Sequence, residues 1–268
     1  MTKCLVAGLP AAGKSTYIGA LAYILQNPVN NQMLMLNESL EDFSYLNKLI
    51  DPWLSLQKME RTTRGFANNI DLDLVRKSDD KIFSISLPDI AGEDYESIVR
   101  RNSEVIENWS DKPDALLLFI NEWHNNILKE QLGDYEPLDG TKEPPAFELK
   151  DMSSTVQHVL MLKELHILFP WKKLAIGLSS WDKFQHEYNS PEGMLKDRAP
   201  FLYNFIMHNF PNAYIFGVSA QGDEYAKDEE SQNRLIERTE NGTRAFIVDN
   251  NGNKSYDLTL PLNFLISD

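Results

Sequence analysis

The chain has 268 residues, enough to bury one substantial core, and its 42% hydrophobic and 25% charged content is that of an ordinary globular protein. A formal net charge of −14 repels the phosphates of duplex DNA and of anionic bilayers, so neither is expected as the main partner. No stretch approaches the roughly 20 apolar residues that span a bilayer; no secretory leader is apparent, and the one cysteine, Cys4, is expected to be a small core side chain in a reducing, cytoplasmic compartment.

Apolar runs alternate with helical periodicity, which predicts an α/β fold with a mainly parallel sheet and helices on both faces. A first strand, Lys3 to Ala7, leads through a glycine-containing turn into a helix from about Ser15 to Gln26, ended by Pro28 and the pair Asn30 and Asn31. QMLMLN then offers a short strand, and Phe43, Leu46, Ile50, Trp53 and Leu54 share one face of a second helix. Residues 58–69 show no periodicity and read as a loop. Strands Ile70–Val75 and Ile82–Leu87 flank the polar turn KSDDK, so a hairpin is expected, with one antiparallel strand in the sheet.

Ala115–Ile120 reads as a buried strand. Residues 122–150 are acidic and aperiodic, the pattern of a functional insertion. A helix over Met152–Phe169, a strand over Leu174–Leu178, a helix over Pro191–His208 and a strand over Ala213–Val218 follow. The tail carries an acidic segment near 223–230, a hairpin signal in FIVDNNGNKSYDLTL, and PLNFLI as a short docked element. One domain is expected, with a core of about 3–222, the insertion 122–150 and an extension 223–268.

Gly8 to Thr16 reads G-L-P-A-A-G-K-S-T, the phosphate-cradling G-x-x-x-x-G-K-[ST] pattern, placed after a buried strand and before a helix. Backbone N–H groups of Ala11, Ala12, Gly13 and Lys14 can wrap a β-phosphate, aided by the helix N-terminus. Lys14 would neutralise β- and γ-oxygens, and the Ser15 hydroxyl would bind Mg²⁺. This loop alone does not separate ATPases, GTPases and small-molecule kinases, and many kinases share its proline. Next, KIFSISLP delivers Asp89 at a strand end within D-I-A-G, where an acid can hold Mg²⁺ and the Gly92 N–H can meet a γ-phosphate. KLAIGLSSWDKF presents Ser179, Ser180, Trp181 and Asp182, which resembles a degenerate guanine-reading [NT]-K-x-D motif; the resemblance implies that the Asp182 carboxylate accepts from the N1–H and N2–H₂ donors of guanine, which adenine lacks. Last, AYIFGV ends in Ser219, Ala220 and Gln221.

These four elements, in this order at strand ends, resemble the D-x-x-G, [NT]-K-x-D and S-A-K elements of translation-factor-related (TRAFAC) and Ras-like P-loop GTPases. The resemblance covers about residues 3–222 and is strongest to divergent bacterial GTPases of conflict or defence systems. It implies a GTP- and GDP-binding, Mg²⁺-dependent switch in which Ser219 and Ala220 form the turn whose N–H reads guanine O6. It also implies a mobile threonine on Mg²⁺ between the first two motifs, here Thr63 in preference to Thr62, and an arginine finger in cis from Arg61 or Arg64. Two positions depart from the pattern. Ser180 replaces the lysine that covers the base and braces the P-loop, a task Lys183 or Trp181 would have to take over. Glu93 follows Gly92 where a water-orienting glutamine is usual, which predicts slow intrinsic hydrolysis hastened by a protein partner. The insertion and the tail are expected to form that partner surface. The alternatives are a P-loop small-molecule kinase and a non-hydrolysing assembly subunit. The histidines, among them His158 and His166 on one predicted helix, show no metal-ligand spacing.

Overall fold

Nine strands join into one sheet in the computed structural model, which describes residues 2–37, 44–57, 59, 67–99, 112–121, 154–223 and 228–267. The strands are β1 (Thr2–Ala7), β2 (Leu34–Leu36), β3 (Ala67–Arg76), β4 (Ile82–Ile90), β5 (Ala115–Ile120), β6 (Lys173–Ser179), β7 (Tyr214–Ser219), β8 (Phe246–Val248) and β9 (Lys254–Ser255). They lie in the order β2-β3-β4-β1-β5-β6-β7-β8-β9. The central strands β4, β1, β5, β6 and β7 run parallel. β3 is antiparallel to β4 in the expected hairpin, and β2 is antiparallel to β3. The tail adds a second reversed strand, β8, paired with β7 and β9, so the expectation of one antiparallel strand is too few. A short turn after a strand can only return the chain antiparallel, and the NNG turn does this for β8 and β9.

The helices are α1 (Lys14–Gln26), α2 (Ser44–Leu54), α3 (Gly92–Val99), α4 (Ser154–Leu168), α5 (Pro191–Arg198), α6 (Pro200–Asn209), α7 (Glu229–Glu240) and α8 (Leu260–Ile266). β5 shows why both faces are covered. In its run ALLLFI, Ala115, Leu117 and Phe119 pack into one apolar cluster with α1, α2 and α8, while Leu116, Leu118 and Ile120 join another with α3 to α6. A strand apolar at every position must be buried on both sides. Cys4 lies in the first cluster at 1% exposure, and burial pushes its thiol up to about 12, so it is an inert core side chain.

The single helix expected over 191–208 is instead two. Pro200 lacks an N–H and forces its predecessor out of helical geometry, and Ala199 accordingly sits at φ −140° and ψ 61°. The tail is woven into the core. The Tyr17 hydroxyl donates to Leu258 O at 2.7 Å, and the Met33 N–H donates to the Asp257 carboxylate at 2.7 Å. α7, absent from the sequence expectation, starts at an Asp228 cap that accepts from the Ser231 N–H at 2.7 Å. Among the described residues, no helix is long and apolar enough to cross a membrane. The insertion 122–150 lies outside the described residues.

Candidate functional site

Parallel neighbours of β1 on either side, β4 and β5, make its carboxyl end the point where the strand order reverses, the usual ligand crevice of an open α/β sheet. The loop that leaves β1 there is Gly8 to Gly13. Ala11 has φ 61° and Gly13 has φ 91°, left-handed turns that wind the backbone into a cradle before α1 begins. Lys14 is 6% exposed; its ammonium donates to Gly8 O at 2.8 Å and lies 5.6 Å from the centre of the Tyr95 ring. Tyr95 is itself fully buried and donates to Val6 O at 2.7 Å, so one α3 side chain supports both ends of the loop. Ser15 and Thr16 occupy the first turn of α1, half-buried beside the cradle.

The neighbouring strand ends converge on this loop. Asp89 lies near the carboxyl end of β4, in register with Val6 of β1. Gly92 opens α3 against the cradle; a Cβ there would stand 2.4 Å from Pro10 N and 2.5 Å from Pro10 Cα. Only glycine allows that approach, and Glu93 follows it, half-buried, in the first turn of α3. From the other side, Ser179 Oγ donates to Ala12 O at 2.6 Å and Asn121 Nδ2 donates to Ala11 O at 3.0 Å. Ser180 Oγ donates to Asn121 Oδ1 at 2.9 Å. Ser180 and Asn121 thus carry together the bracing for which the sequence offered no lysine.

Beyond Ser180, which has φ 57°, a short 3₁₀ turn over Trp181–Lys183 presents Asp182. Ser219 Oγ, 1% exposed at the end of β7, donates to Asp182 Oδ1 at 2.6 Å and accepts from the Gly222 N–H at 3.2 Å. The carboxylate and the turn holding Ala220 are therefore one hydrogen-bonded unit. Trp181 is not available to cover a base: it is 1% exposed and packs over Gly217 of β7. Lys183 is exposed and, with Asp182, Gly222, Asp223, Arg238 and Lys254, lines an open polar cavity of about 540 Å³. Lys254 stands 3.6 Å over the Phe246 ring, and burial together with the nearby Arg238 lowers its pKa.

Of the residues expected at a site, Gly8, Ala11, Ala12, Gly13, Lys14, Ser15, Thr16, Asp89, Gly92, Glu93, Asp182, Ser219 and Ala220 all fall at this one edge of the sheet. Arg61, Thr62, Thr63 and Arg64 lie outside the described residues. Tyr95 and Asn121 were missed. Asn121 had a readable signal, because it directly follows a buried strand, as Ser180 does, while Asp89 is the last residue but one of its strand. His158 is buried, its ring Nδ1 2.6 Å from Ser154 O, and burial lowers its pKa to about 4; it is a core residue. The donor chemistry fits the expected groups. Hydroxyl and carboxylate oxygens from Ser15 and Asp89 suit a hard Mg²⁺ ion, and the N–H cradle with Lys14 suits phosphate.

A family model described as Double-GTPase 1 (DO-GTPase1) matches residues 5–265. No curated protein matches the chain in sequence. Among solved structures, a Methanosarcina barkeri Roco2 RocCORdC chain bound to GDP is 11% identical with a TM-score of 0.37, over 99% of this chain and 51% of that one. The G domain of the T. maritima FeoB iron transporter is 13% identical with a TM-score of 0.36, over 87% and 98%. The S. cerevisiae Ski7 GTPase-like domain, bound to GDP and inorganic phosphate, is 17% identical with a TM-score of 0.44, over 89% and 49%. This chain thus spans about half the length of the Roco2 and Ski7 chains.

Proposed function

The chain belongs to the double-GTPase 1 family, a divergent group of TRAFAC-type P-loop GTPases, and from that premise we propose that it is a Mg²⁺-dependent, GTP-hydrolysing switch of the bacterial cytoplasm. The observation that carries this reading is the Ser219–Asp182 hydrogen bond at 2.6 Å beside a braced phosphate loop. It presents a fixed carboxylate acceptor where a guanine edge offers two donors, next to a turn whose N–H suits the guanine O6. The antiparallel β3–β4 hairpin also favours a G domain over a small-molecule kinase, which usually lacks it.

In this reading the N–H groups of Ala11 to Lys14 cradle the β-phosphate, and the Lys14 ammonium exchanges Gly8 O for phosphate oxygens. Ser15, Asp89 and Thr63 supply oxygens for Mg²⁺, which when bound neutralises charge on the β- and γ-phosphates. Gly92 N–H senses the γ-phosphate, and Arg61 is the finger that steadies charge on the transferred group. Glu93 lacks the amide N–H that a glutamine would donate to an attacking water's oxygen, so unaided turnover is slow and a protein partner supplies what is missing. The whole chain acts as one GTPase domain with its insertion and extension, and the strongly acidic surface suits a protein partner better than nucleic acid or membrane.

Calorimetry of GTP, GDP and ATP binding with Mg²⁺, on wild type and Asp182→Ala, tests the reading. A guanine preference that the substitution abolishes supports Asp182 as base reader. Equal ATP binding that the substitution leaves untouched refutes it.

A further inference from the structure

Three consecutive carbonyls in the turn after β7 are each held by a donor from elsewhere in the chain. Trp53 Nε1 donates to Ala220 O at 2.8 Å, Arg244 Nε to Gln221 O at 3.0 Å, and Arg238 Nη1 to Gly222 O at 3.0 Å. Trp53 belongs to α2, Arg238 to α7, and Arg244 precedes β8. We propose that Trp53, Arg238 and Arg244 are positioning residues that set the base-reading turn 220–222, so that α2 and the carboxy-terminal extension are parts of the nucleotide site. This rests on the guanine reading of the turn given above.

The peptide geometry links the two sides of the turn. A trans peptide points its C=O and the following N–H in opposite directions, and no cis bond occurs among the described residues. Anchoring Ala220 O on Trp53 therefore aims the Gln221 N–H away from the core. Anchoring Gln221 O on Arg244 aims the Gly222 N–H at Ser219 Oγ, which holds Asp182. The donors act on the carbonyl side, and on the N–H side the group they turn toward a base is the Gln221 N–H, next to Ser219 and Ala220.

The anchors are built for rigidity. Arg244 is 1% exposed and stacks 3.9 Å from the centre of the Trp53 ring, itself 1% exposed. A guanidinium remains charged at any working pH, so the bond from Arg244 Nε to Gln221 O is charge-assisted. Its backbone touches the turn as well: a Cβ on Gly222 would lie 2.3 Å from Arg244 O. Arg238 closes the arrangement by donating to Thr243 O and Arg244 O at 3.2 and 3.1 Å. A turn fixed before ligand arrives avoids the ordering cost of binding. Loss of one anchor is expected to weaken guanine binding about tenfold, the effect of roughly one hydrogen bond.

The test compares GDP with 6-thio-GDP, which keeps the N1–H and N2–H₂ donors read by Asp182 but replaces O6 by a poor acceptor. Wild type is expected to prefer GDP. Trp53→Phe keeps an aromatic ring beneath Arg244 and removes the indole donor together with its five-membered ring; Arg238→Lys keeps the charge and removes the fork. Each variant is expected to weaken GDP binding about tenfold and 6-thio-GDP binding less than about twofold, so that the preference collapses. Parallel losses for both ligands, or no loss for either, overturn the proposal, because a merely structural role cannot tell the two ligands apart. If Trp53→Phe does not fold, Arg238→Lys, at a half-buried position of a mostly exposed helix, decides. Should wild type bind GDP and ATP alike, the guanine reading itself fails, a result visible before any variant is made.

Discussion

Asn121→Ala removes the donor that reaches the phosphate loop where these GTPases usually place a lysine. Its Nδ2 donates to Ala11 O at 3.0 Å, and its Oδ1 accepts from Ser180 at 2.9 Å. A net hydrogen bond of this kind contributes about 1 kcal/mol. Ala11 adds a second contribution, because a non-glycine residue at φ 61° is strained by about 1 kcal/mol, and the brace holds it there. Once released, the free loop relaxes and binding must restore the strained turn. The two together predict a loss of about 1–2 kcal/mol, or roughly 5- to 30-fold in Kd for GDP. Titration with a fluorescent GDP analogue in excess Mg²⁺ reads this directly, and a thermal melt should move by no more than about 4 °C. Adding Ser180→Lys to Asn121→Ala restores an ammonium within reach of the same carbonyl and should recover most of the affinity. A Kd for Asn121→Ala alone within twofold of wild type, or no recovery when the lysine is added, refutes the idea that Asn121 does the lysine's work.

Glu93→Gln is expected to preserve or raise single-turnover GTP hydrolysis, whereas Lys14→Ala should abolish it; a collapse of both to the same level would make Glu93 a catalytic residue. His158 gives a pH signature in stability. Its pKa is lowered to about 4 in the folded chain against 6.5 in the ordinary case, so between those values the unfolded chain binds the proton and the native one does not. Stability from this residue is therefore unchanged above about pH 6.5 and falls as pH drops toward 4, by about 2 kcal/mol at pH 5. Denaturant melts of wild type and His158→Gln at pH 7.5 and 5 should show that difference narrowed in the variant.

Much of the fold was legible because the core strands announce themselves. ALLLFI, KLAIGLS and YIFGVS are apolar runs of strand length, bounded by polar residues that sit at the ligand edge. The same feature located the phosphate loop, Asp89, Asp182 and Ser219. Boundaries set by one residue's steric effect were harder: Pro200 divides α5 from α6, yet the flanking apolar periodicity hides it. α7 was hidden for the opposite reason. Its sequence EESQNRLIERTE is nearly all polar, and among its residues only Leu235 and Thr239 are buried.

What no local pattern reveals is a donor brought from far along the chain. Trp53 reads as one more apolar position on the face of α2, and its burial does satisfy that reading. Its N–H nevertheless meets a carbonyl 167 residues away. Arg244 in a polar tail reads as a solvated charge, and it is instead among the most buried side chains of the chain. Both cases follow from one requirement. A turn at a sheet edge has carbonyls facing inward, and buried carbonyls must find donors. Here the donors come from α2, through Trp53, and from the tail, through Arg238 and Arg244. The extension is thus tied to the turn by hydrogen bonds from Arg238 and Arg244, as it is tied to α1 by the bond between Tyr17 and Leu258 O.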